Sequence, residues 1–212
     1  MFVLKQVQYK EILNIEYLNL QRGKITCIIG PSGSGKTTLL RLLNNLISYD
    51  SGSIFFKNQS IDKIDPVELR RQVVMLGQNP VIFEGTVKDN LLIGLKFSEK
   101  PVADDEKLRS ILCQIHLNKD LDDPSRDLSG GEKQRLALGR VLLMEHEVFL
   151  LDEPSSALDE ETEQLVIEEM VQSVQQNQKT LIMVTHARKI AEAYGDKIVE
   201  IRNGQAFVVK EG

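Results

Sequence analysis

The chain has only two cysteines, three histidines and no tryptophan among its 212 residues. Cys27 and Cys113 form no CxxC pair, so the sequence offers neither a disulfide framework nor a zinc cluster. Cys27 lies in the apolar run Ile25-Thr26-Cys27-Ile28-Ile29 and reads as a small core residue. No apolar stretch approaches the roughly 18–20 residues that a membrane-spanning helix needs. The first residues, Met1-Phe2-Val3-Leu4-Lys5-Gln6, lack the layout of a secretory signal. Any work at a membrane is therefore expected to need another chain as the spanning part. Positive charge is not in excess either. The net charge of −5 argues against a nucleic-acid partner. Repeats and low-complexity tracts are missing too.

What is present is an ordinary globular balance, 42% hydrophobic and 27% charged, in a chain long enough for one domain with a small subdomain. Short β-branched runs alternate with longer helical patterns. Strands are expected at 25–29, 53–57, 73–76, 147–151, 180–184, 197–201 and 205–209, the last two joined by an Asn203-Gly204 turn. Helices are expected at 36–47, near 86–93 and 104–116, and at 131–144, 160–176 and 187–194, with Leu39, Leu42, Leu43 and Leu46 on one face of the first. Residues from about 80 to 128 read as a helical subdomain inserted in a core made of 1–79 and 129–212. The alternation implies an α/β fold with a mostly parallel central sheet.

Gly30-Pro31-Ser32-Gly33-Ser34-Gly35-Lys36-Thr37 fits GxxxxGK[ST] between an expected strand and an expected helix. Gly33 and Gly35 let the backbone curl so that successive N–H groups converge on an anion. The helix starting near Lys36 adds the positive end of its dipole. Lys36 would reach the β- and γ-phosphates, Thr37 a magnesium ion and Thr38 the α-phosphate. Gly30, Ser32 and Ser34 complete the cradle.

Val148-Phe149-Leu150-Leu151 is continuously apolar, as a central strand buried on both faces must be. Asp152 and Glu153 follow at its carboxyl end, where open α/β sheets place their ligands. Adjacent carboxylates at a strand end point different ways. Asp152 is expected to hold magnesium, and Glu153 to act as base or positioner for an attacking water.

Leu128-Ser129-Gly130-Gly131-Glu132-Lys133-Gln134-Arg135 is a Gly-rich turn opening a helix, a second anion-binding device. Read alone it is also a plain capping box, with Ser129 and Glu132 as its members. With the other two motifs in this order, the chain resembles the ATP-binding subunit of ABC transporters along essentially its whole length. That resemblance implies a P-loop NTPase core with an antiparallel β-subdomain and an inserted helical subdomain. It also implies ATP and Mg2+ as ligands, and an ATP-dependent pair of subunits in which Ser129, Gly130 and Gly131 of one cap the nucleotide of the other. Gln78 would touch magnesium and the attacking water, His186 the γ-phosphate, and Tyr9 the adenine ring. Ser156-Ala157-Leu158-Asp159 would cross the dimer interface. Ala187 stands where an aspartate is common after the switch histidine. His116 and His146 match no motif and read as structural.

The implied work is driving a separate membrane permease from its cytoplasmic side. Residues 79–91, with an apolar face, resemble the region that receives the permease. Stretches such as Gly77-Gln78-Asn79-Pro80 and Thr86-Val87-Lys88-Asp89-Asn90-Leu91 are similar to the ATPase of a small bacterial metal-resistance family, which implies iron export. The alternative within the superfamily is a soluble non-transport ATPase, such as one for iron–sulfur cluster assembly.

Overall fold

A computed structural model describes residues Met1–Gly212. In chain order it runs β1 (Phe2–Tyr9), β2 (Leu13–Leu20), β3 (Ile25–Ile29), α1 (Lys36–Leu43), β4 (Ser51–Phe56), β5 (Gln59–Ser60), α2 (Pro66–Arg70) and β6 (Val73–Leu76). Then come α3 (Val87–Phe97), α4 (Asp105–Gln114), α5 (Gly130–Leu143), β7 (Val148–Asp152) and α6 (Glu160–Gln176). The chain closes with β8 (Thr180–Val184), α7 (Arg188–Tyr194), β9 (Lys197–Arg202) and β10 (Gln205–Glu211). No helix is long and apolar enough to cross a membrane.

Contacts divide the chain into two compact units. The first comprises Met1–Met75, Glu147–Glu153 and Val174–Gly212. It contains a four-stranded antiparallel sheet in the order β2-β1-β4-β5. The strands of its second sheet are ordered β10-β9-β3-β8-β7-β6. There β3, β7, β8 and β9 are parallel, and β10 pairs antiparallel with β9. Residues of both sheets and four leucines of α1 share one apolar core. Burying β7 and β8 completely explains why their sequences are continuously apolar rather than alternating. Cys27 is fully buried in β3, and burial pushes its thiol up to about 12.

The second unit comprises Leu76–His146 and Pro154–Ser173. It holds the whole of the inserted stretch expected near 80–128, together with α5 and most of α6. In this unit α5 packs on α3 and α4. The close approach depends on Gly139: a Cβ there would lie 2.8 Å from Ile115 Cδ1 and 3.0 Å from Ile111 Cγ2.

One local expectation fails, and several elements were not expected. The helix over 36–47 stops at Leu43, because Asn44 caps it and Asn45 turns left-handed at φ 50°. Leu46 therefore leaves the apolar face and is 51% exposed. Strands β1 and β2 were absent from the expected set; in β1, Gln6 at φ 50° breaks the alternation, with a register shift against β4 between Lys5 and Gln8. Helix α2 was absent too, although Asp65 caps it from the sequence signal Asp-Pro, accepting from the N–H groups of Val67 and Glu68.

Candidate functional site

In the first unit the chain leaves β3 at Gly30 and enters α1 at Gly35, both with positive φ (141° and 103°). A side chain at Gly30 would meet the Ile201 carbonyl oxygen at 2.3 Å, so the turn admits only glycine there. Gly33 has open space where a Cβ would point, which leaves its backbone approachable. No side chain caps α1, so its first-turn N–H groups remain available to an anion. Lys36 is 6% exposed, and its ammonium donates to the carbonyls of Gly30 and Pro31 at 2.9 Å each. Pro31, Ser32, Gly33 and Ser34 line a cavity of about 430 Å3, with Ile12 and Asn203 among its other walls. The buried Ser34 hydroxyl makes no hydrogen bond of its own. Thr37 and Thr38 follow in the first turn of α1, both half-buried.

Asp152 ends β7 and is 3% exposed. Burial raises its pKa above the usual carboxylate range, opposed by a hydrogen bond from Thr37 and assisted by the neighbouring Glu153 charge. One of its oxygens, Oδ1, is buried without a hydrogen-bond partner. Such an orphan acceptor beside a hydroxyl suits a hard divalent cation. Glu153 adopts a left-handed backbone at φ 51°, uncommon for a residue with a long side chain. Its N–H donates to the Val184 carbonyl at 3.1 Å. Its carboxylate lies 2.7 Å from Nε2 of His186, on the segment following β8. The turn after β7 thus sends the two carboxylates apart, Asp152 toward Thr37 and Glu153 toward His186.

Ala187 cannot cap α7, and its N–H is taken instead by the Thr185 hydroxyl at 3.0 Å. The departure from aspartate at 187 thus leaves the segment carrying His186 held by Thr185. Tyr9 ends β1, packs against the first unit's core and carries the Lys10 ammonium 5.3 Å above its ring. It is not among the residues lining the cavity beside Gly33.

In the second unit Ser129 caps α5 in a complete capping box. Its N–H donates to Glu132 at 2.8 Å, and its hydroxyl accepts from the Glu132 N–H at 3.3 Å. Those bonds hold the Glu132 carboxyl below its ordinary range. Gly130 presents an open face, whereas a Cβ on Gly131 would press on Leu158 at 3.2 Å. Gln78 is exposed, two residues beyond β6.

Sequence reasoning missed Gln134. Its side chain is buried, accepts from the Ala157 N–H at 2.8 Å and donates to the Ser156 hydroxyl at 3.3 Å. It thereby fastens the segment 156–157 to α5. A polar residue on the helix face shared by Leu138 and Val141 was the available signal. Ile12 and Asn203 were also missed as cavity walls, because no spacing rule brings the β9–β10 turn to Gly33.

Residues 13–156 match the family model described as ABC transporter. Protein STAR1 of Oryza sativa subsp. japonica is 39% identical over 201 residues, spanning 94% of this chain and 58% of the rice protein. The chain thus covers less than two thirds of that relative's length. A bacterial Atm1-family ABC exporter with ATP bound superposes with a TM-score of 0.88 at 26% identity, over 97% of this chain and 38% of the exporter chain. The ATP-binding cassette MJ0796, in a dimeric post-hydrolysis state with ADP and Pi, superposes with a TM-score of 0.87 at 26% identity, over 99% and 98% of the two chains. The glycine cradle with its buried lysine, the divergent carboxylates and these likenesses converge, and the chain belongs to the ABC transporter family as an ATPase cassette.

Proposed function

We propose that the chain is the ATP-hydrolysing subunit of a membrane transporter, and that two copies close head to tail on two ATP molecules to drive a separate permease. The observation that carries this reading is the Glu153–His186 contact at 2.7 Å, one residue beyond the buried Asp152. It pairs a carboxylate able to take a proton from water with an imidazole able to meet a phosphate.

In this reading Lys36 and the N–H groups of residues 30–35 bind the phosphates, aided by Ser32, Ser34 and Thr38. Tyr9 stacks on the adenine. Asp152, Thr37 and Gln78 would hold Mg2+, whose charge would offset that of the β- and γ-phosphates. The orphan Oδ1 of Asp152 fits that role. Glu153 orients the attacking water and receives its proton as the bond from the γ-phosphorus to ADP breaks. His186 holds the γ-phosphate. Ser129, Gly130 and Gly131 of the second copy complete the site. Residues 1–212 act as one cassette, with the stretch 80–128 as the inserted helical subdomain.

The permease would dock on the second unit, where Val81 is 65% and Phe97 71% exposed, unusual for large apolar side chains. In this reading the chain would work at the cytoplasmic face of a membrane. Iron export is the proposed work, supported by the resemblance of the stretches 77–80 and 86–91 to a metal-resistance ATPase.

The test uses the Glu153→Gln protein, which should bind ATP, stop turning over and accumulate as a closed dimer. Trapped with ATP, it should recover a multi-spanning protein from native membranes. Recovery of soluble assembly factors alone would overturn the transport reading in favour of a non-transport ATPase. Turnover near wild type would overturn the assignment of Glu153. Inverted vesicles carrying the recovered permease should then take up ferrous iron with ATP, and failure to do so would remove iron as cargo.

A further inference from the structure

Helix α5 carries the Ser129–Gly131 turn at its start and Arg140 near its end. The Arg140 guanidinium is spent entirely on one segment and the helix behind it. Its Nη1 donates to the Val81 carbonyl at 3.0 Å, its Nε to the Asn90 carbonyl at 2.9 Å and its Nη2 to Asn90 Oδ1 at 3.1 Å. It also lies 5.1 Å from the centre of the Phe83 ring. Asn90 is fully buried in α3. Its Oδ1 accepts from the Phe83 N–H at 2.9 Å, and its amide nitrogen donates to the Phe83 and Thr86 carbonyls at 2.9 and 3.0 Å. Ser125 adds a hydroxyl to the Phe83 carbonyl at 2.8 Å.

The backbone of 81–83 is thereby wired to α5 while Val81 presents its side chain to solvent. Further up the same helix, Gln134 holds Ser156 and Ala157. One rigid helix joins three segments that the transporter reading assigns to different contacts.

We propose that Arg140 is a positioning residue that couples a partner's contact on Val81–Phe83 to the Ser129–Gly131 turn through α5. The inference rests on the transporter reading, in which that turn engages ATP across a dimer. Burial lowers the Arg140 pKa only to about 10, so the guanidinium stays charged near neutral pH. A lysine keeps the charge but not the planar fork that serves three acceptors at once. Coupling of this kind is a two-way free energy, so closure on ATP must also change the surroundings of residues 81–83.

The experiment uses the whole chain with Glu153→Gln, Cys113→Ser and Val81→Cys, labelled at Val81→Cys with an environment-sensitive fluorophore. Cys27 is buried and remains unlabelled. MgATP should form dimers, seen by light scattering, and shift the emission. Adding Arg140→Lys should reduce the shift by about fivefold or more, at unchanged ATP affinity and melting temperature. If that variant does not fold, Arg140→Gln is read in the same way. An undiminished shift in the Arg140 variant overturns the proposal, as does a parent that dimerises without any shift. A parent that forms no ATP-dependent dimer overturns the closure reading itself, and light scattering separates that outcome.

Discussion

Asp152 sits in β7 with 3% exposure, and desolvation disfavours its ionised form. Its folded pKa therefore exceeds the unfolded value of about 3.9, and the sign of the stability effect follows. Below the unfolded pKa the group is neutral in both states and costs nothing. Above the folded pKa the penalty is complete. Asp152→Asn should raise the melting temperature in magnesium-free buffer at neutral pH. The gain over the parent should disappear as pH falls through that window. Melts of the two proteins between about pH 4 and 8 make the comparison, and equal melting temperatures at neutral pH would refute it. The same substitution should abolish magnesium-dependent ATP hydrolysis. Glu153 illustrates a related exchange. Its left-handed backbone costs on the order of 1–3 kcal/mol, and it aims the carboxylate at His186 rather than along the strand.

Among the elements, α5 bears the most demands: a capping box at its start, Gln134 in its first half and a close fit on α3 and α4. Gly139→Ala should destabilise the second unit by about 1–3 kcal/mol, since the methyl would fall 2.8 Å from Ile115 Cδ1. Urea unfolding followed by a probe in α4 checks this, and a neutral or stabilising effect would show that the helices can move apart. The elements most readable from sequence were those whose pattern has one meaning. Strand β7 is continuously apolar because it is buried on both faces. The turn from β3 into α1 has glycine at each strained position. Strand β1 was hard to read because the irregularity at Gln6 breaks its alternation and shifts its register against β4. The end of α1 was misread for a similar reason. Leu46 continues the helical spacing, while the stop comes from a left-handed Asn45 that periodicity does not encode. The pairing of Glu153 with His186 was half legible. Each residue stands at a strand end in sequence, but only the parallel β7–β8 register brings them together.

At the scale of the whole molecule, the proposed site is completed by the Ser129–Gly131 turn of a second copy. Ser129→Arg should leave ATP affinity of the single chain unchanged. It should also remove the ATP-dependent dimer of the Glu153→Gln protein. Equilibrium binding with size-exclusion chromatography distinguishes this from loss of ATP binding, which would show that the turn acts within its own chain. The cargo was the least legible property of all, because in the transporter reading the solute passes through another chain and touches none of these residues.

The order of the second sheet has a consequence for synthesis. Strand β3, which leads into the glycine cradle, is flanked by β8 and β9, so Ile25 pairs with Leu181. The cradle leaves the ribosome about 150 residues ahead of its supporting neighbours. At 5–20 residues per second the delay is roughly 8–30 s. Throughout that interval the nascent chain carries a complete phosphate-binding motif without the strands that frame it. Nucleotide capture by ribosome-bound chains should therefore appear abruptly, once β9 has emerged, rather than when the glycine motif itself does.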